Sequence, residues 1–162
     1  MSRGSEVTRL SGLGWQGPDS SRDGVRYADE THAEVSYPRG VLDSMMPEGG
    51  DGFWLDARAL QVGGILTDAG ATVLWDVGAG SGAMAKRLIP QGIEVVSVEP
   101  LPEGASECAS LGGEAFCATL QALQLPESSI PAVGMFDVLE HIENPGELLT
   151  ETRRVLQQQG LL

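Results

Sequence analysis

The sequence predicts an α/β fold built on a mostly parallel sheet, and three observations predict it. From residue 72 onward, short apolar runs alternate with stretches of helical spacing, the pattern of parallel strands joined by crossover helices. One of those runs, "VLWDV" (73–77), passes directly into glycines at alternate positions, Gly78, Gly80 and Gly82. The length, 162 residues with 41% hydrophobic, suits one domain with a sizeable core.

Residues 1–36 are rich in Gly, Ser, Asp, Glu and Arg without a steady period. They are expected to form a flexible polar arm, with Trp15 and Tyr27 as possible anchors. Residues 37–70 are expected to be a helical segment: from Phe53 to Ala69 the apolar residues Phe53, Trp54, Ala57, Leu60, Ile65 and Leu66 fall near helical spacing. Gly63 and Gly64 weaken that helix and Gly70 stops it. The core, 71–162, opens with a strand over Thr72–Val77 and a helix over Ser81–Ile89 that stops near Pro90 and Gly92. A second strand follows at Glu94–Glu99 ("EVVSVE"), then a short helix over Pro102–Leu111, ended by Gly112 and Gly113. Glu114–Ala118 and Ala132–Phe136 read as the third and fourth strands. A helix over Asn144–Gln159 starts with Asn144 as N-cap, Pro145 at the first helical position and Glu147 three residues after the cap. Gly160 ends it, and Leu161 and Leu162 read as the start of another strand.

Charge narrows the partners. With 23 acidic against 10 basic residues the chain carries −13, a surface that repels nucleic-acid phosphates and anionic membranes. Cys108 and Cys117 stand nine positions apart, a spacing that matches no zinc or redox signature. They read as ordinary thiols of a reducing compartment. No signal-peptide pattern opens the chain and no apolar run approaches the ~20 residues of a membrane span. A cytoplasmic protein without a bound metal is expected.

A glycine-rich turn between a buried strand and a helix lets a ligand come close to the backbone and points N–H groups toward it. Nucleotide-like cofactors bind at such carboxyl ends of strands. The spacing Gly78-x-Gly80-x-x-Ala83 also fits a dinucleotide fingerprint, a weak match by itself. Asp76, two residues before Gly78, and the third glycine, Gly82, turn the reading elsewhere. A carboxylate suits a cofactor bearing an ammonium and a sulfonium and is unwelcome beside a pyrophosphate.

Asp76-x-Gly78-x-Gly80-x-Gly82 resembles motif I of the class I S-adenosylmethionine-dependent methyltransferases. Glu99, ending the second strand, matches the acidic residue that in this family holds the two ribose hydroxyls. A carboxylate is suited to accept two hydrogen bonds from a diol. "MFDVLEHIENP" (135–145) is similar to the "DVLEH…P" segment of the methyltransferase type 11 and ubiquinone-biosynthesis-like groups, where the loop after the fourth strand faces cofactor and substrate. "LLTETRRVL" (148–156) resembles the helix that follows there, and "GFWLDARAL" (52–60) resembles a "WF..R" helix that precedes the core near the cofactor. The resemblance covers residues 52–162.

What the resemblance implies is a Rossmann-like three-layer sandwich and methyl transfer from S-adenosylmethionine, with S-adenosylhomocysteine as product, to a small-molecule acceptor. Because the family continues past the last helix with a Gly-Gly turn and a fifth strand, the domain is expected to be truncated after the fourth strand and its helix. The implied cofactor-binding residues are Asp76, Gly78, Ala79, Gly80, Gly82, Glu99, Pro100, Thr119, Leu120, Phe136 and Asp137. Two departures affect the adenine end: "FCATLQAL" (116–123) carries no acid after the third strand, so backbone groups and Leu120 stand in for it, and Ile130-Pro131 replaces a Phe-Asp pair before the fourth.

His141 is the candidate general base, because its ordinary pKa suits proton removal near neutrality. A packing role beside the cofactor loop is its alternative. Asp137 and Glu140 could touch a ligand or cap the next segment, while His32, in the polar arm, is set aside. Trp15, Trp54 and Trp75 read as packing residues, and Met45 and Met46 as packing residues that could also line a substrate opening. Three rival functions remain: a non-catalytic module that binds the same cofactor, an NAD-dependent oxidoreductase, and an interaction protein with a decayed site. An exposed parallel edge also invites a homodimer.

Overall fold

The structure, a computed structural model, describes residues 21–28 and 52–162. Among them, seven strands form one sheet. β1 (Ser21–Arg22) and β2 (Val25–Tyr27) are followed by the helix α1 (Gly52–Asp68) and β3 (Val73–Val77). Next come α2 (Ala85–Leu88), β4 (Glu94–Val98), α3 (Pro102–Ser110) and β5 (Glu114–Cys117). β6 (Ile130–Gly134), α4 (Pro145–Val155) and β7 (Leu156–Leu161) complete the chain. The strand order is β1-β2-β5-β4-β3-β6-β7. Only the β1–β2 pair is antiparallel.

β3 is buried along its whole length, as a central parallel strand covered on both faces must be. Its side chains alternate between two clusters. Trp75 and Val77 join Val96, Val98, Phe116, Leu123 and Val133, with α4 supplying Leu148 and Val155. Trp75 and Phe116 stack there, with centroids 5.9 Å apart. On the other face Leu74 and Val95 meet Ala59 and Leu66 of α1 and Met84 and Leu88 around α2. Asp76 and Ser97 are register partners on that second face. The result is the expected sandwich of helices on both sides of a mostly parallel sheet.

α1 runs through Gly63 and Gly64. A Cβ at Gly63 would meet only the mobile end of the Gln91 side chain, so the glycine is tolerated within the helix rather than required there. The predicted stop at Gly70 is a Schellman turn: Ala71 N–H donates to Leu66 O at 2.8 Å and Gly70 N–H to Thr67 O at 3.0 Å, with Gly70 at φ 70°.

Four boundaries differ from expectation. The helix expected over 81–89 is α-helical only at Ala85–Leu88 and passes into a 3-10 turn, Ile89–Gln91; Gly82, at φ 79°, keeps the entry out of helical geometry. The fourth core strand is Ile130–Gly134, two residues earlier than expected, because Asp137 turns the chain at φ 57° and Phe136 folds back over Gly134. At α4, Asn144 makes no side-chain cap to the backbone; its Nδ2 donates to Glu147 Oε1 at 2.7 Å instead. Lastly, α4 ends at Val155, and Leu156–Leu161 pairs in parallel with β6 (Ile130 opposite Leu156, Ala132 opposite Leu161). The sheet therefore does not stop at the fourth core strand. Ladder hydrogen bonds to the unpaired side of β6 outweigh the modest helical preference of Leu-Gln-Gln-Gln.

The polar arm also departs from its expected form where it is described. Ser21–Tyr27 is a hairpin whose β2 extends the sheet beyond β5, with Val25 opposite Ala115 and Tyr27 opposite Cys117. Val25 is buried with Ala105 and Cys117, Tyr27 packs against them, and Arg26 pairs with Glu114 at 3.2 Å over the Phe116 ring. Trp15, His32, Met45 and Met46 lie outside the described residues.

Candidate functional site

The carboxyl ends of β3 and β4 carry the two predicted acids side by side. Asp76 is 2% exposed and Glu99 6%. Burial, and to a lesser degree the neighbouring Glu99 charge, raises the Asp76 pKa to about 7. Burial raises Glu99 as well, opposed by the backbone N–H groups of Leu101 and Gly80 that bond its carboxylate.

Between these acids runs the glycine loop. Gly78, Gly80 and Gly82 all have positive φ, at 76°, 56° and 79°, which only glycine adopts without cost. Space matters equally. A Cβ on Gly78 would stand 2.7 Å from Val138 Cγ2, and one on Gly82 would stand 2.6 Å from Leu111 Cδ1. The loop's N–H groups are already used inside the protein: Gly78 donates to Val98 O at 2.8 Å, Ala79 to the same oxygen at 3.4 Å, and Gly80 to Glu99 Oε2 at 2.8 Å. This corrects the expectation of free N–H groups aimed at a ligand. Two carboxylates and three committed amides make a poor phosphate cradle.

Glu99 Oε1 accepts a further bond from Leu101 N–H at 2.9 Å. Each carboxylate oxygen retains a second lone pair, so Glu99 can still receive both hydroxyls of a diol. The bare glycine backbone and two strand-end acids fit a cationic, ribose-bearing cofactor.

The other predicted residues lie at the same end of the sheet. Pro100 follows Glu99, and its carbonyl accepts from the Cys117 thiol at 3.6 Å. Thr119 follows β5, its Oγ1 accepting from Ala122 N–H at 3.2 Å. Leu120 is 1% exposed and packs in the core. Phe136 packs into the cluster on the α1 face. Asp137 is held by Arg58 of α1. Glu140 and His141 share a 3-10 turn, Leu139–His141.

Three contributors escaped the sequence reading, Val138, Gly104 and Cys108. Val138 closes over Gly78, while Arg58, the arginine of the "WF..R" match, holds Asp137. Gly104 and Cys108 of α3 pack beneath Gly80. A glycine inside the short α3 was the available signal for close approach; the others required the tertiary contact. Among the described residues no group of three or more His, Cys, Asp or Glu side chains is placed to hold a metal, and no helix is long and apolar enough to cross a membrane.

A mostly parallel α/β sandwich with acids ending its two central strands around a glycine loop defines a Rossmann-like protein of the class I methyltransferase type. Residues 75–162, more than half of the chain, match the methyltransferase domain family of type 11, and the chain belongs to that family. An uncharacterized methyltransferase of Mycobacterium bovis is 32% identical over 99 residues, 60% of this chain and 40% of that protein. The chain thus spans about 40% of the length of the curated relatives it matches. In fold it is similar to the PH0226 protein of Pyrococcus horikoshii, with a TM-score of 0.56 and 20% identity over 69% of this chain and 53% of that one. It is also similar to a phosphoethanolamine N-methyltransferase of Haemonchus contortus in complex with phosphomonomethylethanolamine and S-adenosylhomocysteine. There the TM-score is 0.50 and the identity 17%, over 56% of this chain and 23% of that one.

Proposed function

We propose that this chain binds S-adenosylmethionine and serves methyl transfer to a small-molecule acceptor in the cytoplasm. One observation carries the reading: the buried Asp76 and Glu99 carboxylates flank a glycine loop whose amides are internally bonded. That arrangement favours a cation and a diol over a pyrophosphate, and it argues against NAD. In this reading Glu99 holds the ribose, Asp76 supplies negative charge near the amino-acid end, and Gly78, Ala79, Gly80 and Gly82 give the cofactor room. Pro100, Thr119, Phe136 and Asp137 border it. The cofactor supplies an electrophilic methyl group for in-line displacement by an oxygen, nitrogen or carbon nucleophile. The protein's part is alignment of acceptor and methyl and exclusion of water. His141 takes a proton from acceptors that must lose one.

Calorimetric titration with S-adenosylhomocysteine tests the reading, beside Asp76→Ala and Glu99→Ala, with folding checked by circular dichroism and NAD as competitor. Binding that both substitutions weaken and NAD does not displace supports it; no binding by the folded chain overturns it. A second reading is a cofactor-binding module without catalysis. S-adenosylhomocysteine binding without turnover across a panel of amines, phenols and carboxylic acids would select it.

A further inference from the structure

Cys108 has no role in the site as described so far. It sits on α3, 1% exposed, with its thiol directly under the glycine loop. Its Sγ donates to Gly80 O at 3.4 Å. The same sulfur lies 3.2 Å from where a Cβ on Gly82 would be, and the side chain is hydrogen-bonded to Ser97 of β4. One turn earlier on α3, Gly104 approaches so closely that a Cβ there would lie 2.6 Å from Gly80 O and 2.9 Å from Glu99 Cγ. α3 thus forms the floor of the loop, with Gly104 giving the close approach and Cys108 the polar contact.

Gly80 is consequently gripped at both backbone polar groups: its N–H by Glu99 Oε2 at 2.8 Å and its carbonyl by Cys108. A glycine at φ 56° has no side chain to hold it in one conformation, and its backbone freedom is the largest of any residue. External contacts must therefore fix it.

We propose that Cys108 is a positioning residue, whose thiol holds the Gly80 carbonyl and so keeps the loop and the Glu99 carboxylate set for the cofactor. This rests on the reading of the site as an S-adenosylmethionine site. The thiol is suited to donation rather than to nucleophilic chemistry. Burial, followed by the nearby Asp76, Glu99 and Glu107 charges, outweighs the Ser97 hydrogen bond and pushes its pKa up to about 11. At neutral pH it keeps the proton it donates.

Three variants test this: Cys108→Val removes the donor without leaving a cavity, Cys108→Ala removes donor and bulk, and Cys108→Ser keeps a donor on the same Cβ. S-adenosylhomocysteine affinity is measured by calorimetry, and amide hydrogen exchange at Gly80–Gly82 is followed by NMR on the cofactor-free chain. Leaving the part-buried Gly80 carbonyl without its donor is expected to weaken binding by about tenfold in Val and Ala. Both should speed exchange in the loop, and Ser should restore both readouts toward wild type. Wild-type-like binding and exchange in Cys108→Val would overturn the proposal, as would Ser behaving like Val. If even the wild type fails to bind S-adenosylhomocysteine, the cofactor reading falls, while the exchange comparison still decides whether Cys108 fixes the loop.

Discussion

Arg58 and Asp137, 79 positions apart in the chain, meet as a two-pronged ion pair, with Nη1 to Oδ2 at 2.5 Å and Nη2 to Oδ1 at 3.3 Å. Arg58 also lies 5.9 Å from the centre of the Trp54 ring. The pair ties α1, which precedes the core, to the turn that follows β6. Asp137 makes the contact from a left-handed conformation, at φ 57°.

The pair is exposed enough for solvent to screen it, with the Asp137 side chain 64% accessible. A double-mutant cycle of Arg58→Ala and Asp137→Asn by urea denaturation should give a coupling of about 0.2–1 kcal/mol. Asp137→Gly should be more stable than Asp137→Ala by about 1 kcal/mol, because only glycine takes that φ freely. Equal stability of those two variants would mean the turn relaxes.

The Asp76 carboxyl gives the chain a pH dependence of definite sign. Its folded pKa, about 7, lies above the ordinary carboxylate value of 3.8, so the folded state holds its proton more tightly than the unfolded one. Its unfavourable effect on stability is absent below the unfolded pKa, grows as pH rises between the two values, and is complete above about 7. Asp76→Asn should therefore raise Tm most at about pH 8 and progressively less toward about pH 4. A pH-independent difference between the two proteins would contradict this.

Gly78→Ala combines a disfavoured φ with a Cβ 2.7 Å from Val138. It should destabilise the chain by about 1–3 kcal/mol and weaken S-adenosylhomocysteine binding more than Gly92→Ala. Gly92 has a similar φ of 85° but open space around it. Comparing the two by denaturation and calorimetry separates backbone strain from displacement of Val138.

The hairpin shields Cys117, which is buried with Val25 and Ala105. Val25→Asp should lift β2 from β5, and labelling by a thiol reagent should then accelerate at Cys117 by an order of magnitude or so through local opening. Cys108, covered by α3 and the glycine loop, should stay protected. Peptide mapping of the label distinguishes the two thiols, and simultaneous labelling of both would indicate global unfolding instead.

Residues show why parts of this fold were legible and others were not. β3, β4, α3 and β5 appear within a residue or two of their expected bounds. Their apolar runs are continuous and their ends are marked by Gly78, Pro102, Gly112 and Gly113. The hairpin was missed although Asp23-Gly24, with φ of 51° and 81°, is a strong hairpin dipeptide; strands of two and three residues are too short to show a period. The α4–β7 junction was misplaced because Gln157–Gln159 have little preference of their own and follow the vacant side of β6. Of the site, Asp76, the three glycines and Glu99 were legible because their chemistry lies in contiguous motifs. Gly104, Cys108 and Val138 act through contacts with distant positions, which no local pattern encodes.

The two lateral borders of the sheet are not equivalent. On one side, among the described residues, the chain folds its own early residues over β5 and ends the sheet with a strand of two residues, Ser21–Arg22, too brief to template another chain. On the other, β7 offers six residues, with Gln157, Gln158 and Gln159 exposed. Growth of the sheet is thereby polarised: a further strand finds its receptive border along β7, outside β6, and not along β1.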